Sequence, residues 1–337
     1  MKKHVNIPVF IPHYGCPNDC VFCNQRKITG KKCYSRDEVI NEIETALSTV
    51  DRESTEVELA FFGGSFTAIP RDEMLGLLEV SDIFLKRGDI GSVRLSTRPD
   101  AITPEILDIL KAHGVKTVEL GLQSFSDKVL LASNRGHTAA QSVEACRLVK
   151  YYGFELVGQM MVGLPSSTVE DEIMTAEKIC SLRCDGVRIY PTVVFPDTAL
   201  MRMKNEGLYV PLTNAEAIER TAKVIEVFSR FPIKIIRIGL CANETLAGSE
   251  FTNNYHPSIG ELSLNRFYRN KMTSLLDEIK PNENSVAVFT VAMGKISQAV
   301  GQKKENVNYL KERFALKDVK VKEAYMPNAF SLSVDIH

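Results

Sequence analysis

No run of eighteen apolar residues occurs in this 337-residue chain, and Met-Lys-Lys-His leads directly into a strand-like segment instead of an apolar export signal. Neither a membrane span nor secretion is therefore expected, and a cytoplasmic location is. Excess charge of one sign is lacking too. The 41 Lys and Arg stand against 42 Asp and Glu, leaving a formal charge of -1, which excludes a strongly basic whole-molecule field and confines any nucleic-acid binding to a local patch. Eight cysteines in this length are too few for a disulfide framework. There is no internal repeat and no low-complexity segment. What remains is an ordinary globular composition, 44% hydrophobic and 25% charged. It is long enough for one large domain, or one large and one small.

Three of the cysteines crowd together in Tyr14-Gly15-Cys16-Pro17-Asn18-Asp19-Cys20-Val21-Phe22-Cys23. A loop this short can fold its three thiolates around one iron-sulfur cubane, so that three irons gain a protein ligand and the fourth stays open. A structural zinc site usually shows two C-x2-C pairs or a Cys/His set, and here would need Cys33, or Cys180 with Cys184. Those last two fall where the apolar spacing of Ile173, Ala176, Ile179 and Leu182 predicts a helix and its end, and they read as packing residues. The C-x3-C-x2-C string resembles the cluster loop of the radical S-adenosylmethionine (SAM) enzymes. That resemblance implies a 4Fe-4S cluster held by Cys16, Cys20 and Cys23. It also implies SAM bound to the open iron through its amino and carboxylate groups, and reductive cleavage to a 5'-deoxyadenosyl radical.

From Val5 to about Pro196, short β-branched or apolar runs alternate with longer amphipathic ones, the pattern of repeated βα units around a parallel sheet. Strands are predicted at 5–11, 57–62, 93–96, 118–122, 155–162 and 186–190. Helices are predicted at 36–48, 71–85, 104–112, 138–152 and 168–181, several opened by a cap such as Ser35, Thr103 or Ser167. Six such units make an α/β fold, a partial (β/α)6 barrel. Beyond Pro196 the pattern loosens into a helix at 214–228, a strand at 234–238 and a helix at 261–276 that carries Arg266, Arg269 and Lys271. A turn at 280–284 divides a domain at 1–280 from a small α+β appendage at 285–337. Site-building loops in parallel βα folds follow the strand C-termini, which is where the cysteine loop lies.

Other strings end on that same edge. Gly63-Gly64-Ser65 follows the second strand, where glycines let backbone approach a ligand, and it matches the family's segment that meets the SAM amino group. Gln123 and Gln159 end the fourth and fifth strands with amides suited to a ribose or amino-acid moiety. Arg98 in Thr97-Arg98-Pro99-Asp100, and Arg135 with His137 in Asn134-Arg135-Gly136-His137-Thr138, would clamp an anion and move a proton. Together with Glu119-Leu120-Gly121-Leu122-Gln123-Ser124, Gln159-Met160-Met161, Leu164-Pro165 and Arg188-Ile189-Tyr190-Pro191-Thr192, these strings resemble the radical SAM half of the Elongator catalytic subunit, over roughly residues 5–275. The oxygen-independent coproporphyrinogen oxidases share fewer of them.

The resemblance implies Phe22, Gly63, Gly64, Ser65, Gln123 and Gln159 around SAM, and Arg98, Arg135, His137 and Tyr190 toward the substrate. It further implies an RNA nucleoside, in tRNA, as substrate, and a reductant such as flavodoxin or ferredoxin. Two departures limit it. The gap between the first two cluster cysteines is shorter here than in the Elongator subunit, and the residues after 275 leave no room for that subunit's acetyltransferase domain, so acetyl-CoA is not expected. The string Ile296-Ser297-Gln298-Ala299-Val300-Gly301-Gln302-Lys303-Lys304 resembles the helix-loop-helix of a KH RNA-binding module, with Lys304 in place of the second loop glycine. The remaining readings are an enzyme acting on a small molecule such as a porphyrin, and a non-catalytic relative that binds haem or RNA.

Overall fold

The computed structural model describes residues 3–11, 16, 19–23, 35–240 and 255–337; Tyr14, Gly15 and Cys33 lie outside them. Seven strands form one parallel sheet in sequence order: β1 (Lys3–Ile11), β2 (Thr55–Gly63), β3 (Ser92–Thr97), β4 (Val115–Gln123), β5 (Glu155–Val162), β6 (Gly186–Pro191) and β7 (Lys234–Ile238). Parallel neighbours need a crossover, and helices supply it: Arg36–Ser48, Arg71–Arg87, Pro104–Ala112, Ala139–Tyr151, Val169–Ser181 and Asn214–Phe228. The sheet curls into a half-barrel. Six strands are predicted for the barrel and a seventh joins it, because 234–238 pairs with β6. Its weak sequence signal fits an edge strand that is nowhere fully buried.

Local signals set the helix starts. Ser35, Thr138 and Thr168 close capping boxes with Glu38, Gln141 and Asp171, each satisfying amide groups that a helix start leaves unpaired. Thr168 therefore opens its helix in place of Ser167. Two short helices, Asp127–Ala132 and Ala199–Asn205, have no counterpart in the predicted pattern.

Alternation along the strands separates two faces. Val9, Leu59, Phe61, Leu95, Leu120 and Ile189 bury one face against helix residues such as Ile43, Leu77, Phe84, Val149 and Ile179. The alternate positions, among them Glu58, Arg94, Glu119 and Arg188, line the concave face.

A second sheet has the order β10-β8-β9, formed by β8 (Val286–Ala292), β9 (Asp318–Ala324) and β10 (Leu332–Ile336). β8 runs parallel to β9 and antiparallel to β10. Its Ala287, Phe289 and Val291 join the same core as Phe267, Tyr268 and Met272 of the long helix Ile259–Ile279. That helix's basic residues serve packing between elements. Arg269 bonds Glu305 at 2.9 Å and lies over Tyr309, Lys271 Nζ donates to Phe330 O at 2.8 Å, and Arg266 bonds Glu219 at 2.6 Å.

Candidate active site

The cysteine loop sits beyond the C-terminal end of β1 and is pinned from two sides. Val21 N donates to Ser133 O at 3.2 Å, Asn134 Nδ2 to Asp19 O at 2.9 Å, and Leu200 N to Val21 O at 2.8 Å. Phe22 packs with Val21, Val194, Leu200 and Tyr209 in a small apolar cluster. Among the described residues no three His, Cys, Asp or Glu side chains are placed to share a single metal ion. The thiols have separate surroundings instead: Cys16 Sγ lies 3.2 Å from Ser65 Oγ, and Cys20, only 8% exposed, accepts from Arg135 Nη1 at 3.2 Å. Cys180 and Cys184 are buried in the helix-covered core. Burial pushes the Cys180 thiol up to about 12, and a hydrogen bond with Cys146 together with burial raises Cys184 as well. Their place among the apolar residues of that core, beside Cys146, fits packing residues.

Gly63 ends β2 at φ +109°, and a Cβ there would lie 2.5 Å from Ile11 O, so only glycine lets the turn pass over the end of β1. Ser65 is buried and turned to Cys16. Gln123 sits at φ +63°, beyond an irregularity in the β4–β5 ladder, and its buried Oε1 has no partner. Its amide and the Arg135 guanidinium both lie against Gly121, where a Cβ would stand 3.0 Å from one and 3.2 Å from the other. Gln159 is half-buried and in register with Gly121 and Arg188 on the concave face.

The structure brings Arg98, Arg135 and His137 together as a buried group behind the cysteine loop, and leaves Tyr190 on the concave face. Arg98, 2% exposed, forks onto Asp100 at 2.9 and 3.0 Å and also donates to Arg135 O. Arg135 Nη2 donates to Gly121 O at 2.6 Å. His137 is 4% exposed, and neither ring nitrogen makes a well-formed hydrogen bond, although the Leu122 backbone lies beside the ring. Burial first, and then the Arg135 charge, lower its pKa to about 4.

One chain of charges crosses the concave face. His4 meets Glu58 at 3.3 Å, Arg94 bridges Glu58 and Glu119, and Arg188 forks onto Glu119 at 2.8 and 3.0 Å. The Arg188 guanidinium lies 5.5 Å from the Phe62 ring centre, and Phe62 is 6.4 Å from Phe10. Tyr190 is half-buried beside Arg188, and burial raises its phenol above the ordinary value. Glu58 and Arg94 are absent from the residues singled out by sequence. Their signal is a charge inside an apolar triplet, repeated as Val57-Glu58-Leu59, Val93-Arg94-Leu95, Val118-Glu119-Leu120 and Val187-Arg188-Ile189.

Buried polar atoms seldom lack partners, yet Arg98 Nη1, Arg135 Nε and Gln123 Oε1 do so in the layer that meets Cys16 and Cys20. Such a donor and acceptor set fits a cluster and a polar cofactor. Residues 10–179 match the radical SAM superfamily, and residues 184–269 match its C-terminal domain. The chain belongs to the radical SAM superfamily. It is a radical SAM enzyme whose cofactors are a 4Fe-4S cluster and SAM. An uncharacterized protein of Methanocaldococcus jannaschii is 28% identical over 241 residues, 68% of this chain and 74% of that one. Elongator complex protein 3 of Bos taurus is 31% identical over 136 residues, 40% of this chain and 25% of its own length, so the chain spans only a quarter of that relative. The structure of Methanocaldococcus infernus Elp3 with an N-terminal deletion shares the fold. It has a TM-score of 0.64 and 19% identity, covering 81% of this chain and 64% of that one. Among the described residues, no helix of this radical SAM protein is long and apolar enough to cross a membrane.

Proposed function

We propose that this radical SAM enzyme modifies an RNA nucleoside in tRNA. The observation that carries the reading is convergence. The strings that resemble the Elongator catalytic subunit are distant in sequence, yet they supply Arg98, Gln123, Arg135, Gln159, Arg188 and Tyr190 to the half-barrel mouth and the layer beneath its cysteine loop.

The cluster with SAM supplies, when bound, hydrogen abstraction from carbon too inert for acid-base chemistry. In this reading Cys16, Cys20 and Cys23 hold three irons, and Gly63 and Gly64 let backbone reach the SAM amino group. Gln123 and Gln159 add hydrogen bonds to SAM, while Ser65 orients Cys16 and Phe22 packs the loop. Tyr190 donates a hydrogen bond to the substrate, and Phe10 with Phe62 offers a base a flat apolar surface. Arg98, Arg135 and His137 support the loop from behind. The 285–337 region adds phosphate attraction, with eight Lys and Arg against five Asp and Glu. Its exposed Lys303 and Lys304 sit in left-handed backbone at the loop tip. Electrons come from a small carrier such as flavodoxin or ferredoxin.

Mass spectrometry of nucleosides from tRNA of a strain lacking the gene tests the reading. One modified nucleoside should disappear and return with the wild-type gene but not with Cys20→Ala. An unchanged nucleoside profile overturns the RNA substrate.

A further inference from the structure

We infer that Arg135 is a positioning residue that sets the reduction potential of the cluster; the inference rests on the assignment of Cys20 as a cluster ligand. The guanidinium donates to Cys20 Sγ at 3.2 Å and to Gly121 O at 2.6 Å, so one rigid fork ties the cysteine loop to the end of β4. Arg135 is 6% exposed and makes no ion pair among the described residues. Arg98 differs: Asp100 offsets its charge, and it fixes the Arg135 carbonyl while lying within electrostatic reach of Cys16 and Cys20.

Reduction by a one-electron carrier adds a negative charge to this buried site. A cation hydrogen-bonded to a ligand sulfur stabilises the reduced state more than the oxidised one, because the attraction grows with the added charge and burial weakens screening. With Cys16 bound as a thiolate, Ser65 Oγ, 3.2 Å away, would donate a neutral hydrogen bond of the same kind. Buried guanidinium placed on a ligand thiol therefore makes reduction easier, without needing to touch SAM or substrate.

The test is an EPR-monitored redox titration of anaerobically reconstituted full-length protein at fixed pH, with iron and sulfide counted in each sample. Arg135→Met should keep the wild-type iron content and titrate at a more negative potential. Arg135→Lys keeps the charge but not the fork, and should fall between them. An iron-replete Arg135→Met with the wild-type potential overturns the inference. If the Met variant does not load, Arg135→Lys decides alone: a more negative potential supports the inference, and the wild-type potential overturns it. A wild-type protein that holds no cluster is a different failure, that of the ligand assignment itself.

Discussion

Two single residues carry sharp expectations. His137 has a folded pKa of about 4, below the ordinary value near 6.5, because burial and Arg135 oppose its charge. Between those values the unfolded chain binds a proton that the folded one refuses, so stability rises with pH across this window and falls as pH drops through it. The contribution is present in full above about 6.5, and on the order of 3 kcal/mol is lost by pH 4. Chemical denaturation at pH 7.5 and 4.5 should therefore show a smaller loss for His137→Leu than for wild type; equal losses contradict the assigned burial. Gly63→Ala places a Cβ 2.5 Å from Ile11 O at a φ that side chains rarely adopt, so it should cost roughly 1–3 kcal/mol. It should also weaken SAM binding in equilibrium dialysis, since the turn must shift. An unaltered Tm and SAM affinity would show that the turn tolerates a side chain.

At the level of elements, the concave face depends on a network of opposite charges from β2, β3, β4 and β6. Removing Glu119 leaves Arg94 and Arg188 buried without their shared carboxylate. Glu119→Leu should therefore destabilise the fold by about 3–5 kcal/mol in a denaturant titration, and a loss under about 1 kcal/mol would mean the pair is replaceable. Much of this scale is legible in the sequence. The strands and helices of the barrel follow from β-branched or apolar runs, amphipathic stretches and caps such as Ser35 and Thr103, and the site loops fall on the strand ends that βα topology selects. What escapes is contact between distant segments. Ser65 with Cys16, Arg98 with Asp100 and Arg135 with Cys20 are contacts that the strings themselves do not announce. Which of two nearby groups a side chain reaches is decided by packing, not by spacing. The charge inside each apolar triplet was visible, but its meaning required knowing that the sheet curls.

For the whole molecule, the second sheet shares a continuous core with the long helix Ile259–Ile279, and its loop tip presents Lys303 and Lys304. In gel shifts with total tRNA, Lys303→Ala combined with Lys304→Ala should weaken binding and reduce the salt slope by roughly one per lost phosphate contact. Binding and slope equal to wild type would remove the appendage from the interface. The central claim is that Cys16, Cys20 and Cys23 leave one iron of a cluster open to SAM. EPR of the dithionite-reduced, anaerobically reconstituted protein, recorded with and without SAM, tests it most directly. The account predicts about four irons per chain, a signal that SAM reshapes, and loss of that signal in Cys20→Ala. Full iron with a spectrum indifferent to SAM, or a Cys20→Ala protein indistinguishable from wild type, would contradict it.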